Sequence, residues 1–85
     1  MNIRHMAIRA CLEKMAPERA LDYLNSFHLP EIEERFIVQR EIEKKTIIQI
    51  ANENHTTREV VNRTRSSAFR KIADAIDYRN EKSWG

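Results

Sequence analysis

The sequence predicts an all-α fold of about five helices in one domain. Only one glycine occurs among its 85 residues, and no Asn-Gly or Asp-Gly pair is present, so tight β-hairpin turns are not expected. Apolar residues make up 41% of the chain and charged residues 33%, and no apolar run exceeds three residues. A membrane-spanning helix needs about 20 apolar residues, and a phosphate-cradling loop needs several glycines. The composition therefore favours a small helical domain without membrane spans or a nucleotide-binding loop.

The first 28 residues are expected to form two helices. Residues 2–15 carry an apolar stripe at helical spacing, formed by Ile3, Met6, Ala7, Ala10 and Cys11. Pro17 fits the first turn of a second helix, because a helix leaves the N–H at that position unbonded. We interpret residues 1–28 as an N-terminal helical extension that packs on the same core as the rest of the chain.

A third helix is predicted to begin at Pro30, again with proline at its start. Three glutamates follow it within four residues, where carboxylates stabilise the positive end of the helix dipole. Glu31 with Arg35, and Glu41 with Lys45, have the i,i+4 spacing and order that favour ion pairs. The third helix is therefore expected to carry two such pairs.

Two threonines mark the starts of the last two predicted helices. Thr46 and Gln49 have the spacing of a capping box, which predicts a short fourth helix ending near Glu53 or Asn54. Thr57 is the cap candidate of a fifth helix that is expected to run to about Asp77. Residues 78–85 show no periodicity and are predicted to fray, with Trp84 either free or docked.

The segment from residue 46 to residue 72 has the layout of a helix-turn-helix. Ala51 is small where the two helices would cross, Thr57 caps the second helix, and Val61 supplies an apolar anchor one turn further on. The anchor stripe continues through Thr64, Ala68 and Ile72. Residues 57–71 also hold five basic residues and one acidic residue, so a basic face is expected there.

Residues 29–72 resemble region four of bacterial sigma factors and related small phage-encoded transcription activators. The resemblance is carried by the blocks Leu29-Pro30, Ile50-Ala51, Thr57-Arg58-Glu59 with Val61, and Ala68-Phe69-Arg70-Lys71-Ile72. The chain departs from the family at Val60, where a polar or basic residue is usual, and at residues 54–56 between the helices. Because His55 stands where the family has glycine, Asn54 or His55 must adopt a left-handed backbone conformation.

The resemblance implies that the helix beginning at Thr57 enters a DNA major groove. The candidate base-reading residues are Arg58, Glu59, Asn62 and Arg63. Arginine can bond guanine, glutamate can accept from cytosine, and asparagine can pair with adenine. The candidate phosphate-binding residues are Thr46, Thr57, Arg65, Ser66, Arg70 and Lys71. In the alternative interpretation, Arg63 only pairs with Glu59 one turn back.

The function predicted from the sequence is that of a sequence-specific DNA-binding transcriptional regulator, of phage or prophage origin and located in the cytoplasm. Two alternatives stay open: a module that binds RNA polymerase or an anti-sigma factor without reading DNA, and a DNA-binding subunit of a phage packaging machine. A homodimer is also compatible with the sequence. A metal site is not predicted, because His5, His28, His55 and the single Cys11 lack ligand spacing. The sequence also predicts no catalytic residue, cofactor, small-molecule substrate or membrane partner.

Overall fold

The computed structural model describes the backbone of residues 3–84 and the side chains of residues 3–80. Within that part of the chain there are five α-helices and no strand, which confirms the all-α prediction. The helices are α1 (Ile3–Lys14), α2 (Pro17–Asn25), α3 (Glu31–Ile37), α4 (Ile47–Glu53) and α5 (Arg58–Trp84), and α3 continues into a π-helical segment, Val38–Ile42. None of the described helices combines the length and the apolar character that a bilayer span requires.

Two hydrophobic clusters hold the helices together, and α5 contributes to both. The larger cluster consists of Ile8, Leu12, Ala20, Leu24, Ile37, Ala68, Phe69, Ile72 and Ala73. The smaller cluster, under the start of α5, consists of Phe36, Ile50, Ala51 and Val61. Full burial of a large apolar side chain stabilises a fold by about 1.5–3 kcal/mol. The 27-residue α5 is therefore the element on which the other helices are positioned.

The buried face of α1 differs from the predicted one. His5, Ile8 and Leu12 face the interior, whereas Ile3 is 83% exposed and Met6 is 59% exposed. The predicted stripe contained two alanines and a cysteine, whose small side chains fill less of the space between helices. Burying Ile8 and Leu12 removes more apolar surface from water, and this decides which face of the helix turns inward.

The predicted starts of α2, α4 and α5 are confirmed. Thr46 Oγ1 accepts a hydrogen bond from the Gln49 N–H at 3.1 Å, and Gln49 Oε1 accepts one from the Thr46 N–H at 2.8 Å. This reciprocal pair is a complete capping box at the start of α4. Thr57 Oγ1 accepts from the Val60 N–H at 3.2 Å at the start of α5. Pro17 occupies the first turn of α2.

Of the two ion pairs predicted on the third helix, one forms. Arg35 Nη2 lies 2.9 Å from Glu31 Oε1, as expected. The prediction that Glu41 pairs with Lys45 is wrong. The helix widens into a π turn, in which the Glu43 N–H donates to the Val38 carbonyl at 3.0 Å, and this shifts the side-chain register. The chain then leaves the helix, so Lys45 pairs with Glu43 and Glu53 instead.

The prediction that α5 ends near Asp77 is also wrong, because the helix reaches Trp84. The predicted fraying of residues 78–85 stays a prediction, and residue 85 lies outside the described residues. No proline or glycine interrupts the helix before the last residue. Arg79 fixes this extension to the end of α2, where its Nη2 donates to the Ser26 carbonyl at 3.0 Å. Its guanidinium also lies over the Phe27 ring, 4.4 Å from the centroid. The Trp84 side chain lies outside the described residues.

Candidate functional site

The turn between α4 and α5 is closed by a residue in the left-handed conformation. His55 has φ 54°, in agreement with the requirement that Asn54 or His55 adopt this conformation. The His55 N–H donates to the Asn52 carbonyl at 3.3 Å, and the Thr56 N–H donates to the Ala51 carbonyl at 2.9 Å. These two bonds form a Schellman motif, in which glycine is the usual left-handed residue. Histidine is tolerated there more easily than a β-branched residue would be.

The smaller hydrophobic cluster fixes α4 against the start of α5. Ile50, Ala51 and Val61 are almost fully buried around Phe36. Asn54 ties the turn to the π-helical segment, because its Nδ2 donates to Gln39 Oε1 at 3.1 Å and to the Ile50 carbonyl at 2.7 Å. The orientation of α5 relative to α4 is therefore set by packing and by hydrogen bonds from the turn.

The first turns of α5 present a polar face to solvent. The exposed residues on this face are Arg58, Glu59, Asn62, Arg63 and Ser66. Within the residues whose side chains are described, neither arginine forms an ion pair or a side-chain hydrogen bond. The ion pair between Arg63 and Glu59 is therefore absent among the described side chains. We call this surface the α5 polar face.

The predicted phosphate-binding hydroxyls lie at the two helix starts. Thr46 and Thr57 are both exposed, and each hydroxyl oxygen accepts a backbone N–H in its cap. The hydroxyl hydrogens remain available as donors, because a hydroxyl has one donor as well as two acceptor lone pairs. Both threonines can therefore cap their helices and still donate to an anion.

The predicted phosphate-binding cations lie in three different environments. Arg70 is exposed on α5, whereas Lys71 forms an ion pair with Glu33 of α3, with Nζ 2.8 Å from Oε2. Arg65 is only 5% exposed. Its assignment as a phosphate contact is therefore wrong, because its guanidinium lies inside the fold and does not reach a ligand at the surface.

Arg65 belongs to a buried ion triad with Glu41 and Arg9. Arg65 Nη2 and Arg9 Nε each lie 2.8 Å from the same oxygen, Glu41 Oε1. Only the contact with Arg65 has hydrogen-bond geometry, and the Nε atoms of both arginines are buried without a hydrogen-bond partner. Burial lowers the pKa of Arg65, while the hydrogen bond to Glu41 opposes the shift. The triad joins α1, the π-helical segment and α5.

Exposed apolar side chains border the α5 polar face. Ile48 is 55% exposed and lies at the groove between α4 and the start of α5, beside Asn52 and Arg58. Val60 is 39% exposed on the flank of α5. This apolar border can contact thymine methyl groups or the surface of another protein.

A second feature near the α5 polar face is a groove between α1, α3 and α5. It has a volume of about 600 Å³, and Arg63, Ser67, Arg70 and His5 are among its lining residues. Two of these residues were not predicted from the sequence. Ser67 could have been found from its position, four residues after Arg63 and three before Arg70 on one helix. His5 gave no signal, because its contacts with α5 are tertiary.

No group of three or more metal-ligating side chains occurs in the part of the chain that the structure describes. Cys11 is a free, exposed thiol on α1. His5, in contrast, is buried and packs on Phe69, with ring centroids 5.6 Å apart. Comparison of the chain with protein-family models, with curated proteins and with solved structures gave no significant match.

Proposed function

We propose that this protein is a sequence-specific DNA-binding regulator that places the start of α5 in a major groove. The observation that carries the proposal is the α5 polar face. Arg58 and Arg63 project there without an ion-pair partner among the described side chains, next to Glu59 and Asn62. These residue types form the base-edge contacts by which proteins distinguish base pairs.

The fit of a helix to the major groove supports the same proposal. The groove is about 12 Å wide, which admits one α-helix. The α5 polar face lies at the N-terminal end of a long helix, the end that contacts base edges in helix-turn-helix proteins. Behind it, Thr46 caps α4, and its hydroxyl and the first-turn amides of α4 can donate to a backbone phosphate. The start of α5 thus supplies the base-reading groups, and the start of α4 supplies groups that position the protein on the DNA backbone.

Selection from randomised duplex DNA, followed by binding across a salt series, tests the proposal. The wild type is compared with the double variant Arg58→Ala plus Arg63→Ala. The control is Lys14→Ala plus Arg19→Ala, which removes the same charge from exposed positions on α1 and α2. We expect log K to fall with log salt by about 0.9 per neutralised phosphate. Each lost base-reading arginine is expected to weaken binding to the selected sequence by about 1–3 kcal/mol.

Two outcomes contradict DNA binding by the α5 polar face. One is the absence of any salt-dependent binding to duplex DNA by the wild type. The other is an equal loss of affinity in the test and control variants, because binding would then depend on overall charge and not on the α5 polar face. Selection of no preferred sequence, with the two arginines still required, leaves DNA binding in place and contradicts base reading.

The exposed apolar border favours a second candidate function, that of a protein-interaction module that binds RNA polymerase. Ile48 and Val60, both substantially exposed, flank the α5 polar face. Exposed apolar side chains next to polar ones are typical of protein interfaces. Binding of purified bacterial RNA polymerase by the wild type but not by Ile48→Asp, together with no binding to duplex DNA, identifies this function. Retained polymerase binding by Ile48→Asp contradicts it.

A further inference from the structure

The groove between α1, α3 and α5, which we call the α1–α3–α5 groove, is rich in hydrogen-bond donors. Arg63 and Arg70 lie seven residues apart on α5, about 10 Å along the helix axis. The hydroxyls of Ser66 and Ser67 line the groove between them. Guanidinium groups donate hydrogen bonds and do not accept them, and serine hydroxyls can donate. The groove therefore has the donor set that binds an anion.

The carboxylate that lines this groove does not cancel its positive charge. Glu33 is 8% exposed, and its Oε2 accepts a hydrogen bond from Lys71 Nζ at 2.8 Å. Its other oxygen, Oε1, lies inside the protein away from solvent. Because Lys71 neutralises Glu33, the two guanidinium groups determine the charge of the groove.

His5, contributed to the groove by α1, is in this positive field. The pKa of His5 is lowered from its ordinary value of 6.5, first by burial and further by the positive charges of Arg4 and Arg70. His5 and Arg70 both line the groove, so a cation on α5 faces a side chain of α1 across it. Arg4 itself is held by Asp77 and by the Ala73 carbonyl.

We infer that the α1–α3–α5 groove binds a phosphodiester group of the DNA backbone, so that α1 forms part of the DNA interface. This inference rests on the proposed function. Arg63 belongs both to the groove and to the α5 polar face, so a strand read by that face continues into the groove. The groove is open to solvent and not an enclosed cavity, which suits a strand at the surface better than an enclosed small molecule.

The test introduces a negative charge or removes a positive one inside the groove. Ser67→Asp and Arg70→Ala are each compared with the wild type on the selected duplex across a salt series. The matched controls are Ala10→Glu and Arg19→Ala, at exposed positions on α1 and α2. We expect affinity to fall roughly tenfold in each groove variant and not in its control. The salt slope of Arg70→Ala is expected to decrease by about 0.9.

Duplexes that carry one neutral methylphosphonate linkage locate the contact. We expect one position flanking the selected sequence to weaken the wild type and to have no further effect on Arg70→Ala. Because Arg70 is exposed, this variant is expected to keep its fold even if Ser67→Asp does not, and thermal denaturation checks both.

Two results overturn the inference while leaving the proposed function intact. In the first, Arg58→Ala weakens binding, but each groove variant matches its control. In the second, inorganic phosphate shifts the amide resonances of Ser66 and Ser67 without DNA, and no methylphosphonate position matters; the groove is then a free-anion site. If the wild type does not bind DNA at all, both proposals are overturned together.

Discussion

Arg63 and Arg65 lie two residues apart on α5, yet one lies on the exposed surface and the other in the interior. Arg63 is exposed on the α5 polar face without an ion-pair partner among the described side chains, whereas Arg65 is buried against Glu41. Two residues correspond to about 200° of helix rotation, which places them on different sides. Local charge therefore overstates the surface available to DNA, because one of the cations counted there neutralises the interior.

The largest expected effect comes from breaking the buried region. Glu41→Ala leaves Arg65 and Arg9 without their shared carboxylate, and removal of one partner from a buried ion pair costs about 3–5 kcal/mol. We expect a decrease of that size in the free energy of unfolding, measured by urea denaturation. Glu43→Ala is the control, because its exposed pair with Lys45 is screened by solvent and contributes little to stability. Equal stabilities of the two variants would show that the triad is not structurally important.

The exposed region is expected to respond in the opposite way. Arg63→Ala should weaken binding to the selected DNA by about 1–3 kcal/mol, and its free energy of unfolding should stay within about 0.5 kcal/mol of the wild type. Arg65→Ala should reduce stability. Titration calorimetry and urea denaturation on both variants separate the two quantities. A stability loss in Arg63→Ala as large as that in Arg65→Ala would contradict the contrast between the regions.

The turn that joins α4 to the α5 polar face offers a smaller effect. His55 has φ 54°, a conformation that costs a non-glycine residue roughly 1–2 kcal/mol. We expect His55→Gly to raise the free energy of unfolding by up to about 1 kcal/mol, since part of the gain is lost to the flexibility of the unfolded glycine. His55→Val is expected to lower it. The reverse order in thermal denaturation would show that this turn is not strained.

The smallest expected effect is a pH dependence from His5. Its pKa is lowered in the folded protein, chiefly by burial and also by Arg4 and Arg70, so the unfolded chain binds the proton more readily. The stability contribution is therefore complete above pH 6.5, the ordinary value, and is lost as the pH falls below it. Melting temperatures from about pH 8 to about pH 5 should fall less steeply for His5→Gln than for the wild type. Parallel curves would contradict this assignment.

Local signals in the sequence were sufficient to predict where the helices start. The capping box at Thr46, the cap at Thr57 and the proline in the first turn of α2 depend on contacts within one turn. The left-handed residue at His55 was likewise predictable, because a short connection between two helices needs one. These features require no knowledge of the rest of the fold.

Features set by distant parts of the chain could not be predicted in this way. Glu41 pairs with Arg9 and Arg65, which are 32 and 24 residues away, and the π turn removes the local alternative with Lys45. The inward face of α1 was ambiguous, because apolar residues occur on more than one side of that helix. The candidate site was also predictable only in part. Its α5 polar face follows from the helical period, whereas His5 reaches the α1–α3–α5 groove only through tertiary packing.

The continuity of α5 has a mechanical consequence. The helix has 27 residues, about 40 Å of rise, in a molecule 45 Å long. Its first turns carry the α5 polar face, and its other end is bound to the end of α2 through Arg79. A rigid rod of that length converts a tilt of about 10° at one end into a displacement of about 7 Å at the other. A partner that binds the C-terminal end of α5 can therefore change the position of the α5 polar face relative to DNA.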